Sequence, residues 1–438
     1  MTEFRLILPV KSPIHAEVSV PGSKSITNRA LLLAALSDGE SSIEGALFSD
    51  DTRIMINALR ALHFQIEEDE SSNRITVCGE GGDIPAKSAD LFVGNAGTAA
   101  RFLLAAAAGG HGRYRLDGTP RMRERPLEDL TKALQALGAR VSFEGKTGFM
   151  PLTIEASGLR GGPVDLRGDV SSQFLSALLM VSPLAEKPVE IRITEPLISE
   201  PYVVMTMRMM YERGIEVERT APDHFIIPAG RHYQSRAYPV EPDASSASYF
   251  FAAAALTGGK VTVKGFPIEP LQGDVEFVEV LRRMGCRVSR SEGEITVIGA
   301  EKLQGVDVDM NRISDTAITL AAMAPFASGS TMIRNVRHMR LQETDRLHAI
   351  AAELSRLGVS VEEKEDGLTI RPAENIHPAT VRTYNDHRIA MSFALIGLKV
   401  EGIQIADSDC VSKTFPDYFE LLDQICRPVG GGCERMTG

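Results

Sequence analysis

The chain has 438 residues, enough for two or three domains with cores of their own at roughly 100–200 residues per domain. Apolar residues make up 43% and charged residues 24%, the mix of a globular chain rather than a disordered or fibrous one. Against 58 Asp and Glu stand 47 Lys and Arg, a formal charge of -11, which argues against broad capture of nucleic acid or anionic membrane; an anionic ligand would need a locally basic pocket.

The opening residues, MTEFRLILPVKS, mix charge with apolar residues and do not read as a secretion signal. A first strand is expected up to about Val20. From Pro21 onward two kinds of helix alternate. In the first kind a polar, small-residue cluster opens an Ala- and Leu-rich helix: GSKSITNRALLLAAL, NAGTAARFLLAAAAGG, SSQFLSALLMVSPL, DASSASYFFAAAALTGG, SDTAITLAAMAPFASG and NDHRIAMSFALIGL. Arg29, Arg101 and Gln173 fall 72 residues apart, and Asp315 and Arg388 are separated by 73. Helices apolar on all sides are buried. The second kind is amphipathic, ends at Gly138, Gly214, Gly285 or Gly358, and leads into a strand, a polar turn and a second strand; a fifth copy carries His63 in place of the glycine.

This self-similarity points to six βαβαββ-like units. Six units of about 72 residues exceed one core, so an α/β fold of two domains with three units each is expected. The divisions fall at residues 22–240 and at 1–21 plus 241–427, with the chain crossing twice, and 428–438 as a mobile tail. Apolar runs such as Phe102 to Ala108 fall far short of the ~20 residues of a membrane helix. The five cysteines (Cys78, Cys286, Cys410, Cys426 and Cys433) form no C-x-x-C pair, which suggests neither a disulfide framework nor a zinc site. A soluble, cytoplasmic protein is expected.

Each buried helix begins with hydroxyl, amide or charged groups, and a helix N-terminus favours anions through its unpaired N–H groups and dipole. If these ends face one cleft, a site for polyanions follows, although capping alone would explain Ser, Thr, Asn or Asp there. Lys24, Ser25 and Arg29 lie in PGSKSITNRA, and Asn95, Gly97, Thr98 and Arg101 repeat the pattern in GNAGTAARFLL. Of Arg121, Arg123 and Arg125 in PRMRERP, Arg125 is the candidate to face a ligand. Ser171, Ser172 and Gln173 suit hydroxyls or phosphate oxygens, and Ser199 and Tyr202 would extend that site. In the second half stand Asp315, then Glu343, Asp345 and Arg346 in RLQETDRL, then Asn385, Asp386, His387 and Arg388 in YNDHRIAM, and Lys413 in SKTFPDYF. Carboxylates among cations serve as acid or base, while the cations bind phosphate or carboxylate; structural ion pairing is the competing account. The nine histidines show no metal-binding spacing, and neither a Walker A nor a G-x-S-x-G motif occurs.

From about Pro21 to Tyr418 the sequence resembles the EPSP synthase family of the enolpyruvyl transferase superfamily. PGSKSITNRA, GNAGTAAR, ERP, DVSSQFLSALLM, EPDASSASYF, QETDRL, YNDHRIAM and SKTFPDYF occur in the family's order and spacing. The resemblance implies an inside-out α/β barrel of two domains with three βαβαββ repeats each, the buried helices pointing their N-termini into the cleft. It implies transfer of the enolpyruvyl group of phosphoenolpyruvate to the 5-hydroxyl of 3-phosphoshikimate by addition and elimination, with no metal or organic cofactor and with a monomer as the working state. Lys24, Ser25, Arg29, Ser171, Ser172, Gln173, Ser199, Tyr202, Asp315, Asn335 and Gln342 are implied to bind 3-phosphoshikimate. Lys24, Gly97, Arg125, Gln173, Arg346, Arg388 and Lys413 are implied to bind phosphoenolpyruvate. Asp315, Glu343 and Lys24 are the implied catalytic groups: Asp315 takes the hydroxyl proton, Glu343 handles the methylene proton, and Lys24 stabilises charge.

Two departures stand out. Gln342 replaces a lysine found in many members, with Arg340 nearby to compensate, and Phe102 stands where glyphosate-sensitive members have proline, which would shift the helix carrying Gly97 and Thr98. The related UDP-N-acetylglucosamine enolpyruvyl transferase typically has a reactive cysteine in the stretch that reads HGRYRLDGTPRMRERP here, without cysteine. A catalytically silent anion-binding protein of the same fold is the other alternative.

Overall fold

The computed structural model describes residues 4–427; the tail 428–438, expected to be mobile, lies outside the described residues. Twelve helices are formed among them: α1 (Lys24–Ala35), α2 (Asp50–Ala61), α3 (Gly97–Gly109), α4 (Glu128–Ala136), α5 (Ser172–Val181), α6 (Glu200–Tyr211), α7 (Ala244–Thr257), α8 (Phe277–Arg283), α9 (Ala317–Met323), α10 (Arg346–Arg356), α11 (His387–Gly397) and α12 (Tyr418–Cys426). Odd-numbered helices are the apolar kind and even-numbered ones the amphipathic kind. Every residue of α9 and α11 is buried, whereas half of α2 is, as a one-sided apolar stripe requires.

The strands form six sheets with one repeated topology. In the second unit Ser88–Phe92 pairs parallel with His111–Asp117, which pairs antiparallel with Leu152–Ser157, and Arg140–Phe143 closes the edge. The parallel pair brackets the buried helix α3, a βαβ crossover. Two sheets are completed by strands far away in sequence. His15–Val18 joins parallel to Lys260–Lys264, and Ala237–Pro239 joins parallel to Ser37–Glu44. The sixth unit departs from the expected pattern. After Gln404–Ala406 the chain enters a 3-10 segment, Ser408–Lys413, and then α12, and Phe4–Leu6 supplies the third strand of a three-stranded sheet. In place of a hairpin, α12 buries Tyr418, Phe419, Leu422 and Ile425.

Buried apolar residues form two separate cores, one running from Ile26 to Tyr238 and one combining Ile7–Val20 with Ala244–Ile425. The chain passes between them at two points that pair with each other: Ser23 N–H donates to the Glu241 carbonyl and Asp243 N–H to the Pro21 carbonyl, both at 2.8 Å. Gly22 sits at this crossing, where a Cβ would lie 2.0 Å from the Gly45 carbonyl oxygen, so only glycine allows the strands this close.

Candidate functional site

The starts of α1, α3, α5 and α11, together with the 3-10 turn before α9 and the loop before α10, converge on one cleft between the two cores. The cleft is lined by residues of both lobes. Local structure at these starts explains the convergence. Ser23, Ser171 and Asp386 cap α1, α5 and α11 with their own side chains, which frees the residues of the first turn to face the cleft. Two successive left-handed residues, Tyr384 and Asn385, turn the chain into Asp386. Gly97 opens α3 against the Arg125 side chain, where a Cβ would meet the guanidinium at 2.5 Å.

The first-lobe wall is rich in cations and hydroxyls. Arg29 is buried and donates to Thr206 Oγ1 at 2.7 Å, to Ser176 Oγ and the Tyr202 carbonyl at 3.2 Å, and to the Ser25 carbonyl at 2.9 Å. All of these acceptors are neutral, and burial pulls the guanidinium down to about 10. Phe102 is buried too, with its ring 5.2 Å from the Arg29 guanidinium carbon, within cation–π range. Among the described residues Arg101 donates only to the Gly97 and Pro126 carbonyls and the Met122 sulfur, and its charge is disfavoured by burial and then by Arg125. Gln173 donates to Thr98 Oγ1 at 3.2 Å. Lys24 is paired within its own lobe, 3.2 Å from Asp51.

Carboxylates dominate the second-lobe wall. Arg346 lies 2.8 Å from Asp386, 3.2 Å from Asp315 and 3.0 Å from Glu343, and it also donates to Gln342 Oε1 at 2.5 Å. Arg388 donates to Asp315 Oδ2 at 2.7 Å. Glu343 reaches across the cleft to within 3.5 Å of Arg125. Burial pushes the Asp315 carboxyl up, but Arg388, Arg346 and Lys24 outweigh it and hold the group below its ordinary value. Glu343 is held well below its ordinary value, with burial overcome by Arg346, Arg125, Lys413 and Lys24. Both are therefore charged at neutral pH and able to accept a proton.

Fourteen of the expected binding residues and Glu343 line this cleft: Lys24, Ser25, Arg29, Gly97, Arg125, Ser171, Ser172, Gln173, Ser199, Tyr202, Asp315, Gln342, Arg346 and Arg388. Lys413 stands just behind the wall, with Nζ 2.5 Å from Asp51 and 3.0 Å from the Asn95 carbonyl. Asn335 is not brought to the cleft. Its backbone is left-handed (φ 61) at the end of strand Thr331–Arg334, so its side chain donates to Asp309 on the exposed side. The turn Arg337–Leu341 instead carries His338 inward, 2.9 Å from Ser314 Oγ and 3.4 Å from Ser199 Oγ. Burial lowers His338 to about 4, so the ring is neutral at pH 7. Arg340 does not reach the cleft to compensate for Gln342; it is held by Asp345 and Glu363 and by the carbonyls of Lys364 and Glu365.

Three residues outside the expected set shape the site. Asp51 joins Lys24 to Lys413; in sequence it is one acid in the first turn of α2, which the helix dipole alone would explain. Arg121 crosses the cleft to donate to the carbonyls of Gln342 and Glu343 at 2.9 and 3.2 Å. Asp274 lies behind Tyr202. Asp315, expected to open its helix, sits instead within the 3-10 segment Asn311–Thr316 and caps nothing, so its carboxylate is spent on the two arginines. Among the described residues no cluster of three or more His, Cys, Asp or Glu is placed to hold a metal ion, and no helix is long and apolar enough to cross a membrane.

Fold and cleft define a two-domain α/β protein that holds two partly buried carboxylates among arginines and lysines at the mouths of repeated helices. The model of the EPSP synthase (3-phosphoshikimate 1-carboxyvinyltransferase) family matches residues 9–422. A 3-phosphoshikimate 1-carboxyvinyltransferase of Trichormus variabilis is 52% identical over 93% of this chain and 95% of its own length. A chloroplastic counterpart from Brassica napus is 47% identical over 96% of this chain and 85% of its own. Among solved structures, EPSP synthase from Acinetobacter baumannii superposes with a TM-score of 0.80 at 27% identity, covering 97% of this chain and 98% of that one. The chain belongs to the EPSP synthase family.

Proposed function

We propose that this chain catalyses the reaction its relatives are named for, moving the enolpyruvyl group of phosphoenolpyruvate to the 5-hydroxyl of 3-phosphoshikimate with release of phosphate. The observation that supports it is the pairing of two partly buried carboxylates, Asp315 and Glu343, with cations from both lobes in one cleft. In this reading the lobes are domains, 22–240 and 1–21 plus 241–427, that close over the substrates and exclude water. The chain acts as a cytoplasmic monomer without a cofactor.

3-Phosphoshikimate is held by the hydroxyl and arginine wall of Ser25, Arg29, Ser171, Ser172, Gln173, Ser199 and Tyr202, with Gln342 opposite and His338 in the place expected of Asn335. Phosphoenolpyruvate is held by Lys24, Gly97, Arg125, Gln173, Arg346, Arg388 and Lys413. Asp315 takes the hydroxyl proton as the oxygen attacks C2 of phosphoenolpyruvate, and Glu343, which takes up a proton once the substrate anions replace it as partner of Arg125 and Arg346, delivers that proton to the methylene carbon. In elimination Glu343 takes a methyl proton back, the C–O bond to phosphate breaks, and Lys24 and Lys413 balance the charge of the leaving group. Each substrate anion would replace a carboxylate as partner of the cleft arginines.

Phosphate release from phosphoenolpyruvate, measured with 3-phosphoshikimate and separately with UDP-N-acetylglucosamine, tests this. Release with the first acceptor alone is expected. Release with the second alone would assign the related transferase, and release with neither would leave a silent anion-binding protein.

A further inference from the structure

Behind the acceptor side of the cleft a chain of three oxygens runs inward from Asp315 to two groups that no proton-transfer step above uses. Tyr202 Oη is 2.6 Å from Asp274 Oδ2 and 3.1 Å from Asp315 Oδ2. Asp274 is 4% exposed, sits in the 3-10 turn Gly273–Glu276 and also accepts from Ser245 Oγ at 3.0 Å. Its Oδ1 is buried with no hydrogen-bond partner, an expensive arrangement for an ionised carboxylate. A phenol has one proton, so Tyr202 can satisfy only one of its two carboxylate neighbours; the shorter contact places that proton toward Asp274. The contact to Asp315 is then an oxygen pair waiting for a hydrogen.

We propose that Asp274 is a positioning residue for proton transfer, which receives through Tyr202 the proton that Asp315 takes from the acceptor hydroxyl. The inference rests on the reading of function given above. The step balances without a change in oxidation state. The substrate O–H breaks and its proton passes to Asp315 Oδ2; that proton moves to Tyr202 Oη as the phenolic proton moves to Asp274 Oδ2. Asp315 is a carboxylate again, Tyr202 a neutral phenol, and Asp274 a carboxylic acid that holds the proton while the substrate oxygen bonds to carbon.

The charges around the relay set its direction. Asp315 is clamped by Arg388 and Arg346 and holds a proton weakly. Among the described residues no cation is bonded to Asp274; burial and then Asp315 push it up to about 7, with the Tyr202 hydrogen bond and Arg388 opposing and Asp243 adding to the rise. A proton therefore runs downhill from Asp315 to Asp274. Deprotonation of Tyr202 itself is opposed by burial, Asp274 and Asp315, so the phenol passes a proton without losing one.

The test is the pH profile of kcat for wild type, Asp274→Asn and Tyr202→Phe. Wild type is expected to lose kcat on acidification through about pH 7 as Asp274 fills with a proton. Asp274→Asn should fold, lower kcat by roughly 10–100-fold, leave KM for phosphoenolpyruvate within about threefold and lack that acid limb. Tyr202→Phe severs the relay from the other side and should lack the same limb, which keeps the test decisive if the asparagine variant does not fold. An acid limb unchanged in a folded variant, or kcat and KM moving together with the profile intact, overturns the inference. Infrared titration of wild type gives a readout free of turnover: a carboxylic C=O band present at pH 6, lost above pH 8 and absent from Asp274→Asn. If wild type shows no turnover but does show this band, the reading of the function fails while the Asp274 titration stands; turnover without the band removes the relay alone.

Discussion

The two walls of the cleft are built from opposite chemistries. On the first lobe Arg29 and Arg101 are buried against neutral acceptors only, with no carboxylate within ion-pair distance among the described residues. On the second, Arg346 is bound to the buried Asp386 and Arg388 to the partly buried Asp315. An arginine buried without an anion pays its desolvation in full, as the lowered Arg29 shows, whereas a paired one is part of the fold's own electrostatics. The first wall is thus incomplete without an anionic ligand, and the second carries the groups that move protons.

The largest effect expected from this contrast is catalytic. Asp315→Asn and Glu343→Gln should each fold, bind 3-phosphoshikimate and lose roughly 100–10,000-fold in kcat, the scale of a lost general acid or base. Calorimetry for binding and phosphate release for turnover separate the two readouts. Near-normal turnover in either variant would remove its assigned role.

Next comes stability, where the two walls should respond with opposite sign. Arg346→Met strands Asp386 and Glu343 in a buried site and should cost about 3–5 kcal/mol. Arg29→Met removes a charge that has no counter-ion, so the ligand-free protein should be unchanged or gain about 1 kcal/mol while 3-phosphoshikimate binding weakens on the order of 100-fold. Urea unfolding with and without ligand measures both. Equal destabilisation by the two substitutions would break the contrast between the walls.

The repeats explain why so much of this was legible in the sequence. Six apolar helices at a spacing of about 72 residues announce both the buried helices and the polar groups at their starts, and the structure brings five of those starts to one cleft, the start of α7 not being part of its lining. What escaped depends on backbone turns and on partners distant in sequence. Asn335 looked like a ligand group, but a left-handed φ sends it outward and a 3-10 turn brings in His338. Asp51 and Asp274 each look like an ordinary acid beside a helix start; only tertiary packing sets one between Lys24 and Lys413 and the other behind Tyr202. The sixth unit ends in a helix where a hairpin was expected, because its third strand comes from the chain's start.

A smaller effect tests the cleft's buried titrating groups through pH. His338 is lowered to about 4 by burial, so the unfolded chain binds the extra proton between about pH 4 and 6.5. The stability this neutral ring contributes is present above its unfolded pKa and is lost as pH falls through that window, on the order of 3 kcal/mol in total. Asp274 has the opposite sign. Raised to about 7, it holds a proton in the folded state that the unfolded chain has given up, so stability falls as pH rises from about 4 to 7. His338→Gln should flatten the first dependence and Asp274→Asn the second, as read from urea midpoints between pH 4 and 8. A pH dependence of stability unchanged from wild type in His338→Gln would contradict a neutral buried ring.

The smallest expected effect concerns Arg340, the cation nearest in sequence to Gln342. Its guanidinium is committed to Asp345, to Glu363 and to two carbonyls outside the cleft, and partly exposed ion pairs of this kind are worth about 0–1 kcal/mol. Arg340→Ala should therefore change stability by no more than about 1 kcal/mol and leave KM for 3-phosphoshikimate within about twofold. Gln342, by contrast, lines the cleft and accepts from Arg346 at 2.5 Å, so Gln342→Ala should raise that KM measurably. If Arg340→Ala raised it instead, the charge missing at position 342 would be supplied from outside the wall, and the division between a surface ion cluster and a substrate-facing wall would not hold at this corner.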